Sequence, residues 1–579
     1  MLIQSPGGLR GLTNKLVKKE AVEKQETSKN NTETRLSFMS IPSIAFKGNM
    51  VIPVLPKGLK ESPKPVIQKD GKSYIEKTLK EPNLKYLVYS QDPLVTPEPE
   101  LYQHKGSVIP GPESNRIKTV DEKSEVAKPT EKGNYVADVN SPQFDRISSF
   151  LFSSKVLKMF EDNLGRKIEW AFSDDQLKIH PRAGVTMNAY YSRWEQLIKL
   201  FYFNSRTNPA EKCFTSKMAD VITHETGHAV LDGLRPSYFG WGAHNGAVHE
   251  GFGDSVAMLA ALDNENIVDS VIKQTGGDLK KENLIASLAE QFGKAVYGDK
   301  LYLRNAINDL KMSDFDSGRE SNEEHNFGRL FGAMFYDMIV ELSNDKATVM
   351  PLKTALKQTK DDLTKLMARA IGDFSPPGNV YYDDIAKAFL KADQHLFKGQ
   401  YKDLLSKVFV NREILNNTDI KAWEAEQKSI PALTLPPKTL ETSETILDFI
   451  NKNKGLLGLP KDSQYKLESA YTNSSGETFV QLKAGKLVEI PSKDPAEEPK
   501  YRINVYGGLT LGFDKAGKLF YKAENKTRQF EINDAIKDAQ KHLENHSKNF
   551  NITGYQPKVY LESEDSNLLI KAPIIEEPV

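Results

Sequence analysis

The sequence predicts an α+β protein in which a mixed α/β region runs into a mostly helical one, with a small α+β segment after it. Three patterns carry that expectation. Over residues 143–164, Ile147, Phe150, Leu151, Leu157, Phe160 and Leu164 recur at helical spacing, and Gly165 closes the segment. Beyond residue 300 come three further stripes, Phe331 to Leu342, Leu363 to Ile371 and Ile385 to Leu396, each with the pattern of a core-facing helix. From Tyr501 the period drops to two: Tyr501, Ile503 and Val505 alternate, Gly507-Gly508 interrupts, and Leu509, Leu511 and Phe513 resume.

At 579 residues the chain is too long for one ordinary domain. Residues 1–134 are rich in Lys, Glu, Pro and Ser, and their short apolar patches offset too little ordering entropy, so a largely disordered arm is expected. Residues 135–415 form the main domain, with strand-like pieces at 168–172 and 176–179 after its first helix. A polar, Pro-containing stretch over 416–460 reads as a linker to a small α+β accessory domain at 461–579, where Ile536, Gln540 and Leu543 mark one amphipathic helix.

Lys+Arg and Asp+Glu both total 78, a balance that favours neither a nucleic-acid nor an anionic-membrane partner. Cys213 stands alone, which rules out an intramolecular disulfide and a Cys-rich zinc site and leaves it a packing role. The first twenty residues lack an apolar h-region, and no apolar run is long enough to span a bilayer. A cytoplasmic location is the default expectation, with signal-less export open, and a monomer is expected.

Residues 221–230 read VITHETGHAV. On a helix His224 and His228 stand one turn apart on one face, so both imidazoles reach one metal ion, with Glu225 beside the first of them. Zinc lowers the pKa of a bound water to about 7, and a neighbouring carboxylate can then take its proton at neutral pH. The third ligand comes from residues 246–254, GAVHEGFGD: on a second helix Glu250 and Asp254 are i, i+4 neighbours. Glu250 binds the metal, and Asp254 accepts a hydrogen bond from a ligand imidazole and fixes its tautomer. His244 and His249 are given no role.

These motifs, H-E-x-x-H followed by E-x-x-x-D, resemble the thermolysin-like metallopeptidases, the gluzincins. The resemblance covers roughly residues 140–415. It implies a two-lobed catalytic domain with zinc between the lobes, and a peptide or protein substrate. Asp232 stands where the family has an Asp, and Asn188-Ala189-Tyr190-Tyr191 is similar to the edge strand that pairs with substrate. The resemblance also implies Tyr238 and His325 as donors to the oxyanion and Arg304 as the arginine that orients the substrate carbonyl. The chain departs from the family in its longer spacer, residues 229–249, between His228 and Glu250. It also has Ala261 in place of a calcium-binding carboxylate, while Asp220 fits that same site, so calcium stays an open alternative.

The reading that follows is a zinc-dependent endopeptidase in which Glu225 acts as general base on a zinc-activated water. A gluzincin aminopeptidase is the first alternative, although the G-x-M-E-N motif that holds a substrate α-amine does not occur. A binding protein with a purely structural zinc is the second, and such a site needs four protein ligands and no base.

Overall fold

The computed structural model describes residues 66–68, 83–105, 109–491, 501–527, 529–548, 561–564 and 567–570. Most of the expected N-terminal arm lies outside these residues. Its described part is ordered: β1 (Asn83–Val88) and β2 (Glu100–Lys105) form an antiparallel hairpin. Tyr86 and Val88 enter the main core, where Tyr86 stacks on Tyr135 with ring centroids 5.5 Å apart. The composition of this stretch cannot build a core alone, but its apolar residues are buried against a neighbour that can.

The mixed region holds a four-stranded sheet in the order β3-β4-β6-β5, from β3 (Ile117–Thr119), β4 (Leu177–His180), β5 (Ala189–Ser192) and β6 (Leu197–Leu200). β5 lies at the sheet's edge and runs antiparallel to β6. The helix α1 (Pro142–Leu164) starts at Ser141, whose side chain accepts from the Phe144 amide. It stops at Gly165, where φ is 62°. Residues 168–172, expected as strand, are irregular, because side chains take their backbone groups: the Ile168 amide donates to Glu161 Oε1 at 2.9 Å, and the Arg116 guanidinium donates to the Ile168 carbonyl.

Two helices cross beside this sheet, α2 (Ala219–Leu234) and α3 (Ala243–Leu262). Glycines make the crossing tight: a Cβ on Gly253 would stand 2.7 Å from the His224 ring. The long helix α4 (Glu324–Ala347) closes on α3 in the same way, with Gly328 against the Glu250 Cβ and Gly251 against Phe331. Next come α5 (Leu352–Arg369), a π-helical turn (Ala370–Phe374) and α6 (Tyr382–Leu396). Phe331, Leu363 and Ile385, which head the three predicted stripes, are all fully buried.

Residues 416–460 are more than a linker. They carry the helices Asn417–Lys428 and Ser443–Asn453, which Asn416 and Thr442 cap. Ile420 and Trp423 of the first join the main core, while Ile446 and Ile450 of the second join the tail's core. Two apolar residues per short helix gave too weak a period to read.

The tail is an antiparallel array of β7 (Lys466–Thr472), β8 (Thr478–Ile490), β9 (Tyr501–Phe513) and β10 (Leu519–Asn525), followed by α7 (Gln529–Lys548). The expected break at Gly507-Gly508 is absent, and β9 pairs with β8 along its whole length. The glycine serves an approach instead: a Cβ on Gly508 would lie 2.0 Å from the Pro377 carbonyl oxygen. The fold is thus mixed α and β, with a run of helices alone from Glu324 to Asn453. Among the described residues no helix is long and apolar enough to cross a membrane.

Candidate metal centre

α2 presents His224 and His228 on one face, and their Nε2 atoms lie 3.0 Å apart with the rings perpendicular. α3 brings Glu250 onto the same point: its Oε2 is 3.5 Å from His224 Nε2 and its Oε1 is 3.4 Å from His228 Nε2. Two imidazole nitrogens and a carboxylate converge here, which is the donor chemistry of zinc, and their spacing is close to that of neighbouring ligands on a tetrahedral ion. These three residues could hold a metal, and all are buried. Asp254 lies one turn below Glu250 and places Oδ1 3.0 Å from His224 Nδ1, which holds that ring by its far nitrogen.

Charge in the group is balanced from α4 and from a short strand, Arg304–Asn305. Arg304 Nη1 donates to Glu250 Oε2 at 2.8 Å, and its Nη2 lies 3.2 Å from Asp254 Oδ1. His325, in the first turn of α4, sits with Nε2 3.7 Å from Glu250 Oε2, and its Nδ1 is 2.6 Å from Glu323 Oε1. Burial would raise the Glu250 carboxyl, but the imidazoles of His325, His224 and His228 outweigh it and hold the group well below the usual carboxylate range. Burial raises the Glu225 carboxyl, and the neighbouring imidazoles oppose that shift.

The edge-strand residues expected to meet substrate reach β5: Asn188 is buried just before it and Ala189 opens it. Asp232 ties this strand to α2, since Tyr191 Oη donates to Asp232 Oδ2 at 2.7 Å and Arg193 Nε donates to the same oxygen at 2.9 Å. Tyr238 is placed differently from the expectation. Its side chain is fully buried and its hydroxyl donates to the Pro376 carbonyl at 3.0 Å, so the hydroxyl is spent on the fold. His249 is also buried, and burial together with His228 holds it far below its ordinary value.

A second group of carboxylates, Asp92, Asp220 and Glu290, brings one oxygen from each within 4.8 Å of the others. All three are buried, and Glu290 Oε2 has no hydrogen-bond partner among the described residues.

Residues 187–417 match the family model of the fungalysin metallopeptidases, M36. The match supports a zinc metallopeptidase. His224, His228, Glu250, Arg304 and His325 all fall inside the matched region. Among solved structures, the precursor of protealysin, a metalloproteinase from Serratia proteamaculans, is 12% identical over 52% of this chain and 87% of its own, with a TM-score of 0.33. The M60 catalytic domain of ZmpC from Clostridium perfringens, in complex with the sialyl T antigen, is 11% identical over 66% of this chain and 64% of its own, with a TM-score of 0.24. No curated protein matches the chain.

Sequence reasoning missed Arg193, Glu323 and Asp92. Glu323 was open to detection, since an acidic residue two places before a histidine at a helix start can cap the helix and hold the ring. Arg193 and Asp92 meet their partners 39 and 128 positions away, at Asp232 and Asp220, and nothing local marks them.

Proposed function

We propose that this metallopeptidase region is a zinc-dependent endopeptidase of the thermolysin-like kind, two-lobed, with His224, His228 and Glu250 holding the metal. The observation that carries the reading is the convergence of three buried donor atoms beside Glu225, with the ring of His224 held from behind by Asp254. When bound, zinc supplies Lewis-acid polarisation of a peptide carbonyl and lowers the pKa of water to about 7. Glu225, the residue after His224, takes the proton of the attacking water and passes it to the leaving amine. Glu323 holds Nδ1 of His325, which turns Nε2 toward the metal group, where it donates to oxyanion charge. Arg304 neutralises Glu250 and Asp254, and in this reading it also orients the substrate carbonyl. Asn188 and Ala189 align the peptide along β5.

The test is Glu225→Gln. It should bind zinc as the parent does and lose turnover of an internally quenched peptide by about 10²-fold or more, in line with the loss of a general base. Zinc retained with near-parental turnover would remove Glu225 from the mechanism. Equal cleavage of N-terminally blocked and free peptides separates an endopeptidase from an aminopeptidase.

Calcium has a geometric basis as a second cation. Hard oxygen donors suit it, and Asp92 brings a carboxylate to Asp220 and Glu290 although Ala261 lacks one. Calcium titration should then raise Tm in the parent and not in Asp92→Asn. A parent Tm indifferent to calcium would retire this ion.

A further inference from the structure

The segment that joins the two helices of the metal group, residues 235–242, meets the tail at its start, its middle and its end. At its start Arg235, fully buried, donates from Nη1 to Gln481 Oε1 on β8 at 2.7 Å. Near its middle Ser237 Oγ donates to Glu468 Oε1 on β7 at 3.0 Å. Trp241 shares an apolar cluster with Ile503 and Val505 of β9 and with Ile532, Ala535 and Ala539 of α7. At its end two carboxylates of α7 receive the first amides of α3: Gly242 N donates to Asp538 Oδ2 at 2.9 Å and Ala243 N to Asp534 Oδ2 at 3.2 Å.

This last contact replaces something α3 lacks. Its N-cap is Gly242, at φ 115°, with no side-chain cap of its own. An uncapped helix start leaves amides without partners and a positive dipole end without a counter-charge. Asp534 and Asp538 stand four residues apart on α7, a placement that costs repulsion on an isolated helix. Here both charges converge on the α3 N-terminus, which gives that cost a return.

We propose that the tail is a positioning device for the metal centre. By gripping the end of α2, the connector and the start of α3, it fixes the distance between the His224–His228 pair and Glu250. Asp534 and Asp538 are its positioning residues. The inference rests on the metal reading above and reaches outside residues 187–417, the region the family model covers.

The experiment is zinc affinity by competition with a chromogenic chelator, on the full chain. Asp534→Ala/Asp538→Ala should weaken zinc about three- to ten-fold, because a freed first turn loosens the helix that carries Glu250. Asp534→Asn/Asp538→Asn keeps an acceptor for each amide and should restore affinity to within about two-fold of the parent. Phe513→Leu, in the tail's other core cluster and away from the connector, should lower Tm and leave zinc affinity unchanged. If the double alanine chain fails to fold, Asp538→Ala alone carries the same comparison. Unchanged affinity in the alanine variants, or an equal loss in Phe513→Leu, overturns the proposal. A parent chain that binds no zinc overturns the metal reading itself, so the two failures are told apart.

Discussion

At the residue scale, the metal group is a problem of charge in a buried place, which the chain meets by setting Arg304 against Glu250 and Asp254, and Asp254 against His224. Asp254 holds His224 by its far nitrogen, so Asp254→Ala should weaken zinc binding about 10- to 100-fold while the chain stays folded. Chelator competition reads this directly, and parental affinity would remove Asp254 from the support of the site. Tyr238 makes the opposite case. Its hydroxyl is bonded to Pro376 inside the fold, so Tyr238→Phe should cost about 1 kcal/mol of stability and leave kcat/KM within about two-fold. A loss of kcat/KM by 10²-fold with unchanged Tm would return Tyr238 to the chemistry. The candidate metal group was legible in the sequence because His224 and His228, and Glu250 and its supporting Asp254, come in pairs one helical turn apart, and the helix alone sets the common face of each pair. The partner of Tyr238 was not legible, because its short 3-10 turn (Pro236–Tyr238) carries no periodicity to say which way a side chain points.

At the element scale, the site depends on how closely α2, α3 and α4 approach one another. Three glycines of α3 and α4 set these distances: Gly253 against the His224 ring, Gly251 against Phe331, and Gly328 against Glu250. Gly253→Ala would drive a methyl into the ring, with a first contact at 2.7 Å. Overpacking of this kind costs about 1–3 kcal/mol. Thermal unfolding should show that loss together with weaker zinc binding, and a stable variant with parental zinc affinity would mean that the helices part without moving the ligands. The stripes of α1, α4, α5 and α6 were readable because their apolar residues recur at helical spacing and enter a single core. The helices at 417–428 and 443–453 were not, because each commits only a turn or two of apolar residues and draws its order from the cores it joins.

At the scale of the whole molecule, the tail is bound to the helical region by partly buried polar ties. Glu477, on the turn between β7 and β8, receives Arg369 Nη2 at 2.8 Å and His395 Nε2 at 2.7 Å. Burial would raise its carboxyl, but His395, Asn473 and Arg369 outweigh it and hold it well below the usual value. A depressed folded-state pKa gives stability that is present above the unfolded value of about 4.5 and lost as pH falls below it. Glu477→Gln should therefore lower Tm most above pH of about 5, and the gap from the parent should narrow as pH falls through about 4 and lower. A gap that does not change with pH would mean the tie is held by shape and not by charge.

Sequence alone determined the helices with long apolar stripes, the His224–His228 and Glu250–Asp254 pairs and the alternating strands of the tail. Each of these is fixed by a period of two or of 3.6 within one segment, and such a period records which face will be buried. Only the tertiary structure decided that residues 83–105 join the main core, that β9 runs through its glycines, that the Tyr238 hydroxyl bonds the Pro376 carbonyl, and that the tail seats the connector between α2 and α3. Those facts depend on partners far away in the chain: Asp538 lies 296 residues from Gly242. A contact of that span leaves no period behind it, and only the folded chain brings its two ends together.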